Sequence, residues 1–170
     1  MTRIALALLL LVPSASALAQ NWPTLPDHSL TPGKTRNISL ATICNTTWGS
    51  DARAVTAKMK SDVIANYGFN VNKCPFTMYK GKRLHRLEID HLVPRSLGGA
   101  DDEANLWPEC YEPVKPNKSD QADGAHKKDR LEIELHRRIC DGGTTAMLKQ
   151  YQQQFKSNWL SLYHKIYGDE

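Results

Sequence analysis

The spacing of apolar residues divides this chain into segments of different period. Residues 4–12 form an unbroken apolar run, preceded by Arg3 and followed by the small residues Ala17-Leu18-Ala19. That layout predicts a secretory signal peptide over 1–19, cleaved after Ala19. The run is far shorter than the roughly 20 residues a permanent anchor needs, and no later stretch approaches it. No stable membrane association is expected. Residues 20–37 set Pro23, Pro26, Pro32 and Gly33 among polar side chains, which predicts an exposed leader.

A helical pattern follows over 39–67, where Ile43, Val55, Met59 and Val63 recur at multiples of four. Asp51 is the expected cap of its second segment and Gly68 its stop. Residues 69–86 mix turn formers with aromatics and predict loop or short strands. Residues 87–93 alternate imperfectly up to Pro94 and predict one short strand. Gly98-Gly99 makes a turn, and Asn105-Leu106-Trp107 starts a second extended piece that Pro108 is expected to end. A helix is predicted over 125–139 from the stripe Leu131, Leu135 and Ile139, with Gly142-Gly143 after it. A last amphipathic helix spans 144–167 and offers Met147, Leu148, Tyr151, Phe155, Trp159, Leu162 and Ile166 to a core. These elements predict an α+β, mainly helical, single domain over 38–170.

Export changes how the cysteines read. Cys44, Cys74, Cys110 and Cys140 are an even set, and in an oxidising compartment two disulfides are the default. Of three possible pairings, Cys44–Cys140 with Cys74–Cys110 is favoured, because each closes a long loop and no thiol is left for reactive work. A structural zinc site fits less well, since no two cysteines stand at CxxC distance. The formal charge is +4, and loss of Arg3 with the signal peptide lowers it by one. So mild a balance does not announce a nucleic-acid binder. Distribution says more: Lys80, Lys82, Arg83, His85 and Arg86 form one basic cluster, and His126, Lys127, Lys128 and Arg130 another. Such clusters can neutralise phosphates, but either one taken alone reads as a solvated face.

Glu88-Ile89-Asp90-His91-Leu92-Val93-Pro94, then Leu97-Gly98-Gly99-Ala100 and Asn105-Leu106-Trp107-Pro108, resemble the HNH nuclease family. Lys128-Asp129-Arg130-Leu131-Glu132, with Leu135-His136 and Cys140, is similar to the helix of its exported bacterial members. The flanking Ile43-Cys44, Trp48-Gly49, Trp159 and Tyr163 extend the likeness over nearly all the mature chain. The resemblance implies a ββα-metal motif over about 86–140, stapled by the two disulfides, with one divalent cation: Mg²⁺ foremost, Mn²⁺, Zn²⁺ or Ni²⁺ as alternatives. It implies hydrolysis of phosphodiester bonds in DNA, with RNA as a further substrate, at low sequence specificity, by a secreted or periplasmic enzyme.

The residues suit those tasks. An ordinary imidazole is mostly neutral at pH 7, so His91 can accept a proton from water. Asp90 offers a hard carboxylate to a hard cation. Neighbours on a strand face opposite ways, so base and metal can lie on different sides of a phosphate. Glu88 shares the Asp90 face, either assisting from behind or standing as an exposed strand carboxylate. Asn105, fourteen positions after His91, matches the family's middle Asn, which the resemblance assigns to bracing the loop that holds the histidine. Trp107 reads as core. One departure stands out: the helix position where relatives carry a metal-binding Asn or His is Gly124, leaving His126 and Asn117 as substitutes. Asp129, Glu132 and His136 share one helix face and form a reserve set. Lys82, Arg83, Arg86, Lys127, Lys128 and Arg130 are expected to follow the nucleic-acid backbone. The competing readings are a toxin nuclease with an immunity-protein partner, and a degenerate scaffold that binds nucleic acid or metal without cleaving.

Overall fold

A computed structural model describes residues 22–47, 52–112 and 124–168. The expected signal peptide, Asp51 and Asn117 fall outside the described residues. Two short helices open the domain. α1 (Leu40–Asn45) is capped by the Ser39 hydroxyl on the Thr42 N–H, and α2 (Ala57–Asn66) by Thr56 on Met59. The helical pattern over 39–67 therefore covers two helices, and Thr56 is the cap of the second. Gly68, at φ +53°, follows α2 as expected of a stop.

Two antiparallel hairpins come next. β1 (Phe76–Tyr79) pairs with β2 (Lys82–His85) across Lys80-Gly81, whose φ values of +46° and +74° suit a tight two-residue turn. β3 (Leu87–His91) pairs with β4 (Leu106–Cys110), Leu87 opposite Cys110 and His91 opposite Leu106. Pro108 does not end β4 but sits inside it, opposite Ile89. The flanking bonds Leu92 N–H to Asn105 O and Tyr111 N–H to Arg86 O make Ile89–Pro108 a non-hydrogen-bonded pair, so the missing proline N–H costs nothing there.

Strand alternation then gives the β3–β4 ribbon two faces. Ile89 and Leu106 join Val63 of α2 in one apolar cluster. Trp107, on the other face, enters the main core with Leu131, Leu135 and Ile139 of α3 (Ala125–Cys140) and Phe155, Trp159 and Leu162 of α4 (Thr145–Tyr167). α4 is not one straight helix: Asn158 leaves helical geometry, and its side chain accepts the Ser161 N–H to restart the coil. The leader is docked rather than exposed throughout. Thr31 is buried with its hydroxyl on Leu106 O at 2.7 Å, Gly33 N–H bonds Ala104 O, and Thr35 bridges to Gly99. Backbone groups bonded to the β3–β4 connection tie it down, which its proline content did not convey.

Cys44–Cys140 and Cys74–Cys110 are both bridged. The first ties α1 to the end of α3, and the second ties the base of the β1–β2 hairpin to β4. Such bridges persist in oxidising compartments. Among the described residues no helix is long and apolar enough to cross a membrane.

Candidate active site and metal centre

Alternation along β3 sends Asp90 toward α3 and His91 toward the other side. On the α3 side, Glu88 and Asp90 are joined from β4 by Glu109, the cross-strand neighbour of Glu88. One carboxylate oxygen from each lies within 4.8 Å of the others, a spacing that can hold a cation. Glu109 is 1 % exposed and neither of its oxygens receives a hydrogen bond. From α3, Lys128 reaches into this group with its side chain fully buried, its ammonium paired with both Asp90 and Glu132. Asp129 stands at the rim.

Five carboxylates thus share one ammonium. Burial pushes Glu88 up to about 7, with Asp90 adding repulsion, and pushes Glu132 up to about 8. Burial also drives Glu109 well above the ordinary carboxylate range, and the nearby Asp90 and Glu88 charges push it the same way. Asp90 is the exception. Burial opposes its charge, but Lys128 outweighs that and holds it ionised. Lys128 is in turn held charged by Asp90, Glu132 and Glu109 against the cost of its burial. The cluster reaches balance only by taking up protons or a cation.

The other side is simpler. His91 is 4 % exposed, and its Nε2 lies 2.7 Å from Asp101 Oδ1. Asp101 is fixed by the Ala54 N–H at 2.8 Å and by Arg95 at 3.4 Å. Burial lowers His91 to about 4 even though Asp90 and Asp101 pull the other way, so the ring is neutral. Asn105 is fully buried and clamps the loop after the strand. Its Oδ1 accepts the Val93 N–H at 2.9 Å, while its Nδ2 donates to Val93 O and Ala100 O at 3.0 and 3.1 Å. A Cβ on Gly99 would lie 1.8 Å from Val93 O, so only glycine fits beside this clamp.

The helix-side expectations fare differently. His126 is on the first turn of α3, but its Nδ1 meets Glu112 at 3.1 Å and its ring lies against Tyr111, with Arg86 at Nε2. It is not among the three clustered carboxylates. Gly124 has a structural reason: a Cβ there would sit 2.7 Å from Cys110 O and from a Glu112 oxygen. Glu112 supplies the cap that glycine lacks, its carboxylate accepting the His126 and Lys127 N–H groups at 3.1 and 3.2 Å. Glu132 joins the Asp90 cluster, whereas His136 turns to Cys140.

The backbone-tracking set divides. Lys82 and Arg83 are exposed on β2, and Arg86 is half-buried over the Tyr111 ring. Arg130 is exposed with its guanidinium 4.0 Å from the Tyr167 ring centre. Lys127 and Lys128 correct the expectation: Lys127 is 3 % exposed beneath Tyr163, and Lys128 is spent on carboxylates. Neither can reach a phosphate in this conformation. Residues that sequence reasoning passed over are Glu109, Asp101 and Glu112. Only Glu109 had a signal, the cross-strand parity that pairs it with Glu88.

No family model, curated protein or solved structure matches the chain. What remains is the donor set itself: an all-oxygen group with an orphaned buried carboxylate could hold a metal ion.

Proposed function

We propose that the chain is an exported, metal-dependent endonuclease of the HNH type that hydrolyses phosphodiester bonds in DNA, and in RNA as a second substrate, with low sequence specificity. The observation that carries this reading is the end of β3. Asp90 projects there into a carboxylate cluster closed by α3, adjacent His91 is oriented by Asp101, and Asn105 clamps the loop between them. The likeness of residues 88–140 to HNH proteins supports the same reading.

Glu88, Asp90 and Glu109 would hold one divalent ion, and the all-oxygen set favours Mg²⁺ or Mn²⁺ over Zn²⁺ or Ni²⁺. When bound, such an ion neutralises charge on the phosphoryl and leaving oxygens. Asp101 engages Nε2 of His91, leaves the other ring nitrogen to take a proton from water, and stabilises the imidazolium that results. Asn105 keeps that histidine in place. The two disulfides and the expected signal peptide support export; the partner in this reading is nucleic acid, with an immunity protein added if the enzyme serves as a toxin.

One observation favours the rival reading of a binding scaffold: His91 is almost sealed from water. Plasmid nicking by the mature protein separates the two. The enzyme reading expects nicking in Mg²⁺, none in EDTA, and a rate for His91→Ala lower by about 10²–10⁴-fold with plasmid binding retained. Plasmid retarded but never cut under Mg²⁺, Mn²⁺, Zn²⁺ and Ni²⁺ would overturn it.

A further inference from the structure

We propose that the β1–β2 hairpin is a grip for single-stranded nucleic acid, stacking unpaired bases on Phe76 and Tyr79 while neighbouring cations follow the phosphates. This deepens the nuclease reading by naming the form of its substrate, but it rests on the hairpin surface alone.

Among the described residues six large apolar side chains are exposed, and four of them, Phe76, Met78, Tyr79 and Leu84, stand on this one hairpin. Every residue of β1 is exposed, so these side chains contribute little to the core. Residues 63–87 contain no Asp or Glu but carry Lys73, Lys80, Lys82, Arg83 and Arg86. An acid-free, basic, aromatic projection is complementary to a polyanion that also displays flat apolar groups.

Register sharpens the match. Cross-strand pairing puts Phe76, Met78, Arg83 and His85 on one face and Thr77, Tyr79, Lys82 and Leu84 on the other. Each face therefore presents one Phe or Tyr ring beside a cation, with the His85 ring also next to Phe76. The Arg83 guanidinium lies 4.5 Å from the Phe76 ring centre, and the Lys80 ammonium 5.3 Å from that of Tyr79. Rings can stack on bases only where those bases are unpaired, which selects a single strand over an intact duplex. The Cys74–Cys110 bridge at the hairpin's base and the tight turn at its tip stiffen a two-stranded element that would otherwise be marginal.

The test measures fluorescence anisotropy of a labelled oligo-dT strand and of a duplex of equal length, with the full mature chain in EDTA. Tighter binding of the single strand is expected. Phe76→Ala with Tyr79→Ala should weaken it roughly fivefold or more per ring and leave the duplex unchanged. Lys82→Ala with Arg83→Ala should weaken both ligands and flatten their salt dependence. An unchanged single-strand affinity in the aromatic variant would overturn the proposal. So would preference for duplex, tighter binding to anionic lipid vesicles, or a dimer in sedimentation that the aromatic variant abolishes. Because EDTA removes turnover, single-strand binding that survives a failed nicking assay upholds the grip. Nicking without such binding sinks the grip alone.

Discussion

On the α2 side of the β3–β4 ribbon a histidine is buried with one carboxylate partner and remains neutral; on the α3 side three clustered carboxylates, with Glu132 behind them, surround one buried ammonium. Both sides are dry, yet they resolve burial differently. A lone imidazole escapes the cost of desolvation by giving up its proton, and nothing else need change. A group of carboxylates must instead take protons up, and its members do so together. The first to ionise raises the cost for the rest, so protons, Lys128 and any bound cation compete for the same negative charge. The α3 side is therefore where pH and metal should be felt, and the α2 side where geometry should matter most.

The largest test of that contrast removes the ammonium. Lys128→Met leaves Asp90 and Glu132 without their counter-charge and should cost about 3–5 kcal/mol of stability, read by urea unfolding at neutral pH. A variant as stable as the parent would break the comparison. Next in size, Glu109→Gln should leave stability unchanged or raised while weakening Mn²⁺ binding about tenfold or more, measured by calorimetry. Unchanged Mn²⁺ affinity would remove Glu109 from the metal group.

The pH profile should separate the two sides without any substitution. The raised Glu88 and Glu132 contribute stability that is complete below their ordinary 4.5 and is lost as pH rises through about 7 and 8. Lowered His91 contributes stability that is complete above 6.5 and is lost as pH falls through about 4. In EDTA the melting temperature should therefore peak in the mildly acidic range and decline toward pH 8, where Mg²⁺ should restore it. A melting temperature that climbs toward pH 8 in EDTA would contradict the carboxylate account. The smallest effect belongs to Glu112→Ala, which uncaps α3 and should cost about 1 kcal/mol in the same urea assay.

Much of this was legible in the order of residues. The cysteine pairing and the Leu131-Leu135-Ile139 stripe correspond to what the chain forms, and the strand expected over 87–93 forms but stops at His91. The misreadings have identifiable causes. Pro108 looked like a strand terminus, which placed Glu109 outside the ribbon; only the hydrogen-bonding register shows that a proline is harmless at that position. Lys127-Lys128 looked like a surface patch because two lysines in a row usually are one. Yet residue 128 precedes Leu131 by three and Leu135 by seven, the spacing of the buried stripe itself. Asp101 and Glu112 meet their partners across loops, and no periodicity encodes a contact of that kind.

Gly124 sets a limit on redesign. With the Cys110 carbonyl and Glu112 pressed against its α-carbon, a side chain at the start of α3 has nowhere to go unless that approach is rebuilt, so any ligand added to the carboxylate cluster from this helix has to come from a later turn.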